Sequence, residues 1–547
     1  MKLILFFSVL LYGTFSFAQS NSYFNVGFFT NSQYYVDDEK TGNFNEKNNF
    51  RSNNYLNLNY QINRFTAQVQ FEGYIPNALL NFSPNFNNTF NIATYSLNYQ
   101  NEKLNTTLGY FYDQFGSGLI FRAFEDKELG INNAIFGAQF SYQLTSFLKL
   151  KVFYGKQRKG FKLSDGTLRG TNTKLSLSNL LHLKNFLFDY EFSYVARYQN
   201  VVTTNPLFNK TTNSFANAIY FSKDTFYATA EYVFKNKDAL VENETIFDAR
   251  LFPGNAFLFN TGFSINSLSI DATFRRIENM YSYTDRTQRG NPFNDQLVNY
   301  IPSLTKQQDF SLANIYVYQA QPQLSFNPTG KSGEIGFQID AFYKFKRNTE
   351  IGGKYGTQMA LNYAIWNGLD AIYNLGNRTY SSQFLSFGTK YYTDFNIEIR
   401  KKWSKRVTTI NTFMWQFYNK KWLEDSVGEI NTFLILSETS YKFSNILSTR
   451  LKLEHLQSNN DTKSWAAATF EIYIKNTSIY IADIYNYENN NSIEKFHYYN
   501  IGGSYSKNNC RFSLNYGRQR GGLVCIGGVC RLVPRTTGLS FTLNATY

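Results

Sequence analysis

Alternation of apolar and polar residues recurs in short segments along most of the chain and limits the folds open to it. In residues 65–73 every odd position is apolar or glycine and every even position is polar. A strand places successive side chains on opposite faces, so this period of two is typical of a strand between two different environments. Segment 56–62 alternates in the same way and joins the first through Asn63 and Arg64, as in a hairpin. No helical period competes, and the pattern predicts an all-β protein.

Further alternating segments follow, and the connections between them fall into two classes. Alternation continues at 93–99, 188–194, 226–234, 335–343 and 447–453. Short turns near residues 63, 101, 145, 184, 223, 266, 347, 403, 445, 475 and 507 alternate with longer polar segments near 80, 120, 163, 205, 245, 300, 372, 423, 460, 490 and 528. Outer-membrane barrels have short periplasmic turns and longer extracellular loops. The sequence therefore predicts a large antiparallel transmembrane β-barrel of about 24 strands, within a range of roughly 20 to 26, without a separate plug domain.

Composition agrees with a barrel and disagrees with a bundle of membrane helices. After residue 18 the chain has no apolar run of about 20 residues, the length that a spanning helix needs. Aromatic residues make up 18% of the chain, including 42 tyrosines. A bilayer offers no hydrogen-bond partners, so a spanning sheet must close on itself, and tyrosine collects at the two membrane interfaces. A barrel therefore explains the tyrosine content.

The amino terminus has the features of an export signal. Met1 and Lys2 form a short basic region, residues 3–11 are apolar, and Ser16-Phe17-Ala18 is a small-x-small cleavage site. We predict a signal peptide over residues 1–18, cleaved between Ala18 and Gln19, and a single barrel over residues 19–547. A retained anchor helix is the alternative, but this apolar run is too short to span a bilayer.

Two stretches of the chain carry a family resemblance. Residues 111–122 read FYDQFGSGLIFR and are followed by Glu125 and by GINNA at 130–134, while residues 527–534 read GGVCRLVP and precede Gly538. In both stretches the chain resembles an uncharacterised family of Bacteroidota outer-membrane proteins. The resemblance implies a barrel in the outer membrane. It implies no activity or substrate, because that family has none assigned.

The last predicted strand covers residues 539–547 and ends on the aromatic Tyr547. This ending resembles the carboxy-terminal signal read by the barrel-insertion machinery. We therefore expect that machinery as a partner, together with outer-membrane lipid and lipopolysaccharide.

The size of the predicted barrel points to transport. Barrels of 16–18 strands enclose an aqueous channel and those of 22 enclose a plugged lumen, so a larger one must be narrowed or filled. No globular domain precedes the first predicted strand, which leaves the loops as the source of any plug. The function predicted is a pore or transporter for a solute that the sequence does not identify.

Residues 114–134 are the best candidate for a loop that folds into the lumen. Gly116-Ser117-Gly118 has the backbone freedom to turn inward. Mixed charge would then line a constriction, and the candidate residues are Asp113, Arg122, Glu125, Asp126 and Glu128. A solvated external loop is the equal alternative. Residues 278–332 form either a long loop or an extra hairpin, with 281–283 and 314–318 as its strands, and we treat them as one large surface loop.

The formal net charge is +14, and several basic residues lie near predicted strand ends or on polar faces: Lys149, Lys151, Lys174, Arg197, Arg275 and Arg276. These residues either make the lumen attractive to anions or bind lipopolysaccharide phosphates at the outer rim, the second being slightly favoured. Nucleic-acid binding is not expected, because the basic residues are spread over many strands of an exported protein.

Catalysis in the barrel wall is the main rival interpretation. The three histidines, His182, His455 and His497, are far apart, adjoin no nucleophile motif and are too few for a zinc site. Carboxylates such as Glu191 and Glu231 would face the lumen, but lumen strands of any barrel carry such residues. We predict no enzymatic activity, no metal and no cofactor.

The three cysteines have separate predicted roles. Cys525 and Cys530 are close together in a glycine-rich stretch and are predicted to form a local disulfide, with Cys510 left as a small strand residue. The disulfide would stabilise the last extracellular loop.

The sequence also leaves a scaffold open as an alternative function. Long loops at 236–255 and 278–332 would then bind lipoproteins, secreted cargo or other subunits of an envelope complex. A scaffold predicts a blocked lumen, whereas a transporter predicts an open or gated one.

Overall fold

A computed structural model of the chain describes residues 22–42, 44, 48–288, 293–426, 428–526 and 529–547. The predicted signal peptide and its cleavage site at Ala18 and Gln19 lie outside these residues, as do Gly527 and Gly528.

The alternating segments form the strands of one large sheet. Its strands, named β1 to β24 in chain order, are Ser22–Tyr35, Phe50–Ile62, Phe65–Asn77, Asn87–Gln100, Leu104–Phe111, Ile135–Gln143, Leu148–Lys159, Lys162–Ser176, Phe186–Tyr198, Thr211–Lys223, Phe226–Glu242, Thr245–Ile265, Leu268–Glu278, Gly333–Lys344, Thr357–Asn374, Thr379–Lys402, Val407–Asn419, Glu429–Lys442, Leu447–Ser458, Trp465–Ile474, Thr477–Tyr485, His497–Lys507, Cys510–Gln519 and Thr536–Thr546.

The sheet closes into a barrel. Every strand pairs antiparallel with its neighbours in the sequence, and β1 pairs with β24 from Gly27 opposite Thr546 to Tyr35 opposite Gly538. Closure leaves no strand edge without hydrogen bonds, which is what a sheet needs in a bilayer. The structure confirms the predicted closed antiparallel barrel and its 24 strands.

The two faces of the wall differ as the alternation predicts, and β18 is a clear example. Phe433 and Ile435 point outward and are each 45% exposed, whereas Leu434 and Leu436 point inward and are fully buried. Apolar side chains on the outer face suit contact with lipid. The buried inner face shows that something other than water fills this part of the lumen.

The two ends of the barrel are distinguished by their connections and are called the turn end and the loop end. The turn end carries tight turns, as at residues 63–64 and 266–267, and also both chain termini of the barrel. Three connections predicted to be long, near 163, 245 and 372, are instead short hairpin turns at residues 160–161, 243–244 and 375–378, because the strands continue beyond the predicted ends. Two connections predicted to be short, near 184 and 347, are longer and cover residues 177–185 and 345–356.

Helical structure is limited to short pieces. Helix α1 is Leu177–Leu180, α2 is Lys420–Glu424, and single 3₁₀ turns occur at Arg286–Gln288, Leu312–Asn314 and Ser492–Glu494. None of the helices in the described residues is long and apolar enough to cross a membrane.

Candidate functional site

The first insert, residues 112–134, leaves the wall and enters the lumen. Strand β5 has 8 residues and β6 has 9, so the chain departs from the wall before it reaches the loop end. Inside, the insert forms two small ribbons, one pairing Asp113–Phe115 with Phe121–Ala123 and one pairing Glu125–Asp126 with Ile131–Asn132. Phe115 and Phe121 are completely buried.

A glycine turn brings the tip of the first insert against strands β9 and β11 of the wall. The Gly116 N–H donates to Glu191 Oε1 at 2.8 Å, and the Ser117 N–H donates to Glu231 Oε2 at 2.9 Å. Gly116 has a φ of +53°, and a Cβ there would lie 2.7 Å from Glu231 Oε1. Glycine is therefore required both for the left-handed backbone and for the close approach.

The five candidate constriction residues have different surroundings in the structure. Asp113 accepts from Lys151 Nζ at 2.7 Å, and the Arg122 guanidinium lies 3.8 Å from the centre of the Tyr300 ring. Glu125 accepts from Gln70 Nε2 at 2.7 Å, Asp126 accepts from the Leu129 N–H at 2.8 Å, and Glu128 is exposed. Asp113, Arg122 and Glu125 thus connect this insert to the wall or to the next insert.

The second insert comprises residues 279–332, of which 279–288 and 293–332 are described. The interpretation of this segment as a surface loop is wrong, because its side chains are buried inside the barrel. The buried ones include Met280, Tyr283, Val298, Phe310, Leu312, Tyr316, Tyr318, Leu324 and Phe326. So many apolar side chains would be costly in water, at roughly 1.5–3 kcal/mol each for the larger ones, and the lumen gives them a place to be buried.

The second insert crosses the full width of the lumen. On one side Gln157 of β7 donates from Nε2 to the Leu297 carbonyl at 2.9 Å. On the other side Glu454 of β19 accepts from the Leu312 N–H at 2.7 Å and the Ser311 N–H at 3.2 Å. Strands β7 and β19 lie twelve places apart in a ring of 24, which puts them on opposite walls.

Apolar packing holds the inserts to the wall and to each other. One cluster joins Phe115, Ile120 and Phe121 of the first insert to Met280, Val298 and Ile301 of the second and to the wall residues Phe153, Val195, Val233 and Ile277. A second cluster joins Phe310, Leu312, Tyr316 and Tyr318 to Trp366, Tyr392, Leu434, Leu436, Leu456 and Trp465 of the wall. Inward-facing apolar residues thus have partners only because the inserts are present.

Solvent reaches the lumen from the turn end. On β18 the inward side chains change from buried Leu436 through half-buried Ser440 to exposed Lys442. On β4 they change from buried Thr94 to exposed Gln100. This solvated part of the lumen, which we call the vestibule, is lined by polar residues, whereas the inserts fill the lumen toward the loop end.

The last loop covers both inserts from the loop end. It forms a ribbon of Gly522–Ile526 and Val529–Val533, in which the sulfur atoms of Cys525 and Cys530 lie 2.08 Å apart, at bonding distance. Arg520 donates to the Asn314 carbonyl at 2.9 Å, and Arg531 donates to the Leu129 carbonyl. Cys510 lies on β23 and is exposed.

A cavity of about 210 Å³ lies where the inserts meet the wall near the loop end. Strands β2, β3 and β7, the loop 78–86 and both inserts contribute to it. Its polar lining includes Glu72, Asp126, Arg158 and Gln296, and its aromatic lining is Tyr55, Phe82 and Phe86.

The sequence model of the "Family of unknown function (DUF6029)" matches residues 1–547. The chain belongs to this family. No curated protein has a significant sequence match to the chain.

Several solved structures are similar to this family member in fold. The P pilus usher (PapC) translocation pore is 10% identical, with 96% of this chain and 99% of that chain covered and a TM-score of 0.44. A mutant ferric enterobactin receptor (PfeA) from Pseudomonas aeruginosa is 10% identical, with 96% and 80% covered and a TM-score of 0.44. A BenF-like porin from Pseudomonas fluorescens Pf-5 is 7% identical, with 85% and 99% covered and a TM-score of 0.35. These similarities carry no activity over to this chain.

Most of the basic residues singled out in the sequence lie in ion pairs. The pairs are Lys151–Asp113, Lys174–Asp189, Arg197–Asp238, Arg275–Glu334 and Arg276–Glu278. Their charge is therefore largely compensated within this family member. Contact with lipopolysaccharide phosphates stays a prediction.

The three histidines are well separated in the fold from the inserts. His182 lies in the turn after α1, whereas His455 and His497 are exposed on the outer face of β19 and β22. His497 Nδ1 lies 2.6 Å from Asp483 Oδ2, and His455 Nε2 lies 2.8 Å from the Tyr487 hydroxyl. Within the described part of the chain, no group of three histidine, cysteine or acidic side chains is placed to hold a metal ion.

Asp295 of the second insert is expected to make folding pH-dependent. Burial raises the pKa of its carboxyl from 3.8 to about 6, although Ser83 Oγ donates to it at 2.9 Å. When the pKa of an acid is higher in the folded protein than in the unfolded chain, the free energy of unfolding falls as the pH rises from the unfolded-state pKa to the folded-state pKa. We expect Asp295→Asn to remove a fall in the free energy of unfolding between about pH 4 and pH 6.

Urea unfolding of the barrel at several pH values measures this effect. The exposed Asp165 supplies the control, because Asp165→Asn should leave the pH dependence of the wild type unchanged. Parallel stability curves for wild type and Asp295→Asn across this interval would contradict the prediction.

Proposed function

We propose that this protein is a gated solute transporter of the outer membrane, closed at rest by its two inserts. The single observation that carries the proposal is the second insert, which spans the lumen between Gln157 of β7 and Glu454 of β19 above a polar, solvated vestibule. A freely open pore would have no such crossing segment. A lumen without transport would have no need of a solvated vestibule.

The outer membrane is the proposed location. The closed barrel, its outward-facing apolar side chains and its tight turns at one end support this location. With the usual orientation of such barrels, the turn end and its vestibule face the periplasm, and the loop end with its ribbon faces the exterior.

Contacts with β19 suggest where the gate opens. Lys452 Nζ donates to the Asp309 carbonyl at 2.7 Å and lies 3.0 Å from its carboxylate, next to the Glu454 contacts. Hydrogen bonds to charged groups contribute about 1.5–3 kcal/mol each, and 1.4 kcal/mol changes an equilibrium tenfold. Loss of the Lys452 and Glu454 side chains should therefore raise the ratio of open to closed barrels by about a hundredfold or more.

Single-channel recording in planar bilayers tests the proposal. We expect wild type to be closed with rare openings and the double variant Lys452→Ala, Glu454→Ala to open often. Lys174→Ala is the matched control, because Lys174 lies on β8 and pairs with Asp189 of β9 at 3.1 Å, away from β19 and its contacts with the insert. A folded double variant that never opens would count against a gate at β19.

A scaffold is the second candidate, and the inward apolar residues favour it. Leu434, Leu436 and Leu456 require the second insert as their partner, as in a lumen that stays filled. Exposed apolar residues above the wall, such as Ile372 and Leu385, would then contact lipoproteins or cargo. In that case neither wild type nor the double variant would conduct.

A further inference from the structure

We infer that one side of the turn end is a binding site for the headgroups of anionic phospholipids in the surrounding bilayer. The site is built on two neighbouring connections, residues 345–356 between β14 and β15 and residues 403–406 between β16 and β17. Its exposed basic residues, which we call the basic patch, are Lys346, Arg347, Lys354, Lys402, Lys405 and Arg406. The inference does not depend on transport and rests only on a barrel that spans a bilayer.

Backbone hydrogen bonds join the two connections into one surface. The Lys402 N–H donates to the Gly356 carbonyl at 3.2 Å, which ties the end of β16 to the first connection. The Lys442 N–H of β18 donates to the Arg406 carbonyl at 2.8 Å, which ties the second connection to the next strand pair. The basic side chains therefore extend from a continuous part of the wall rather than from separate loops.

Neighbouring carboxylates do not balance the charge of the basic patch. Arg400 of β16 pairs with Glu398 at 3.5 Å, but no member of the patch lies in an ion pair within the described part of the chain. Glu350 is the one acidic residue in the two connections. Like charges so close together repel each other, and a phosphate group both opposes this charge and accepts hydrogen bonds from lysine and arginine. The patch therefore fits a ligand that carries a phosphate.

Exposed aromatic side chains on the outer face place the basic patch at the edge of the bilayer. Trp403 is 57% exposed, Phe443 50% and Tyr343 39%, and all three lie at the turn end of β14, β16 or β18. Lys401 Nζ lies 4.4 Å from the centre of the Trp403 ring. Tryptophan and tyrosine are enriched where a membrane meets water. The patch therefore lies at the depth of the lipid headgroups.

Other turns at the same end of the barrel are less basic. The turn 266–267 carries no charge, and in two further turns a carboxylate adjoins the lysine, as Glu102 adjoins Lys103 and Asp224 adjoins Lys223. Anionic lipid should therefore gather beside β14 to β18 rather than around the whole barrel.

A lipid fits this surface better than an acidic protein does. An acidic protein would be attracted by the charge alone, whereas a lipid also contacts the outward aromatic side chains beside the basic patch. Each lysine or arginine near an anionic membrane surface strengthens binding roughly fivefold. Several such residues on one side of the barrel are enough to select anionic over zwitterionic lipid.

Native mass spectrometry of the detergent-purified full chain tests the inference. The probes are phosphatidylglycerol and phosphatidylcholine with the same acyl chains, added in equal amounts. We expect wild type to retain the anionic lipid about tenfold or more over the zwitterionic one. This preference should fall about fivefold or more in a patch variant with the substitutions Lys346→Gln, Arg347→Gln, Lys405→Gln and Arg406→Gln.

A control variant removes the same charge from other parts of the turn end. Its substitutions, all at exposed positions, are Arg64→Gln, Lys103→Gln, Lys184→Gln and Lys223→Gln. We expect its lipid preference to stay within about twofold of wild type. Circular dichroism melts confirm that both variants are folded, as expected for substitutions of exposed side chains.

Three outcomes would overturn the inference: wild type shows no preference for the anionic lipid, the patch variant keeps the preference, or the control variant loses as much of it as the patch variant. The last outcome would mean that total charge, rather than this site, attracts the lipid. A hexaglutamate peptide that binds wild type in the absence of any lipid preference would assign the basic patch to an acidic protein instead. Lipid binding is measured without conductance, so its failure is separate from failure of transport.

Discussion

Removal of the second insert should convert a closed barrel into one with large, stable conductance. The deletion of residues 281–330 is practical, because the Asn279 N–H donates to the Ser332 carbonyl at 2.7 Å. A short glycine-serine linker from Met280 to Lys331 would therefore close a hairpin between β13 and β14. Barrels of 16–18 strands already conduct when unfilled, so a 24-stranded wall without its crossing segment should conduct more.

Conductance steps of wild type and deletion variant in planar bilayers provide the measurement. The deletion leaves Leu434 and Leu436 facing water, so we expect a lower melting temperature but a folded barrel, since the hydrogen-bonded wall does not depend on the insert. Folding is checked by the β-sheet circular dichroism signal. A folded deletion variant that stays silent would show that the first insert and the ribbon close the lumen without help.

The strands were predictable because each one separates two environments. In residues 65–73 the period of two is almost perfect, and β3 spans Phe65–Asn77. Tight turns such as 63–64 follow from the same pattern, since the alternation stops there. Strand number and closure then follow from the regular spacing of turns.

The second insert was missed because its residues have no period. Phe310, Leu312, Tyr316 and Tyr318 share even positions, but Asn314 interrupts them and the intervening Ala313, Ile315 and Val317 are apolar too, so apolar and polar residues do not alternate. One signal was present in the wall: residues 433–436 read Phe-Leu-Ile-Leu, apolar on both faces. A strand that faces lipid on one side has apolar residues on its other side only where the lumen is filled. Residues 433–436 therefore mark a place where an insert packs against the wall.

The first insert was easier to anticipate, because its glycines carry conformational information. Gly116 and Gly118 both have positive φ, at +53° and +96°, and they form the turn against Glu191 and Glu231. Sequence alone did not indicate which carboxylates the turn would meet, since these lie more than seventy residues away along the chain. Gln296 and Glu334 were missed for the same reason.

Replacement of Glu334 should destabilise the barrel strongly, because this carboxylate is completely buried at the junction of wall and insert. It accepts from Arg275 Nη2 at 2.6 Å, from the Gln321 N–H at 2.6 Å and from the Tyr318 hydroxyl. Arg275 is 1% exposed. Glu334→Ala leaves a buried guanidinium without its counter-charge, which typically costs about 3–5 kcal/mol.

Urea unfolding followed by tryptophan fluorescence measures the cost, and Trp366, 5.3 Å from the Arg275 guanidinium, reports on the site. The matched comparison is Arg275→Met combined with Glu334→Leu, which removes both charges. Since replacing a whole buried ion pair with apolar residues is often neutral or stabilising, the double variant should be more stable than Glu334→Ala. Equal losses in the two variants would mean that the lost hydrogen bonds to Gln321 and Tyr318, rather than the unpaired charge, account for the destabilisation.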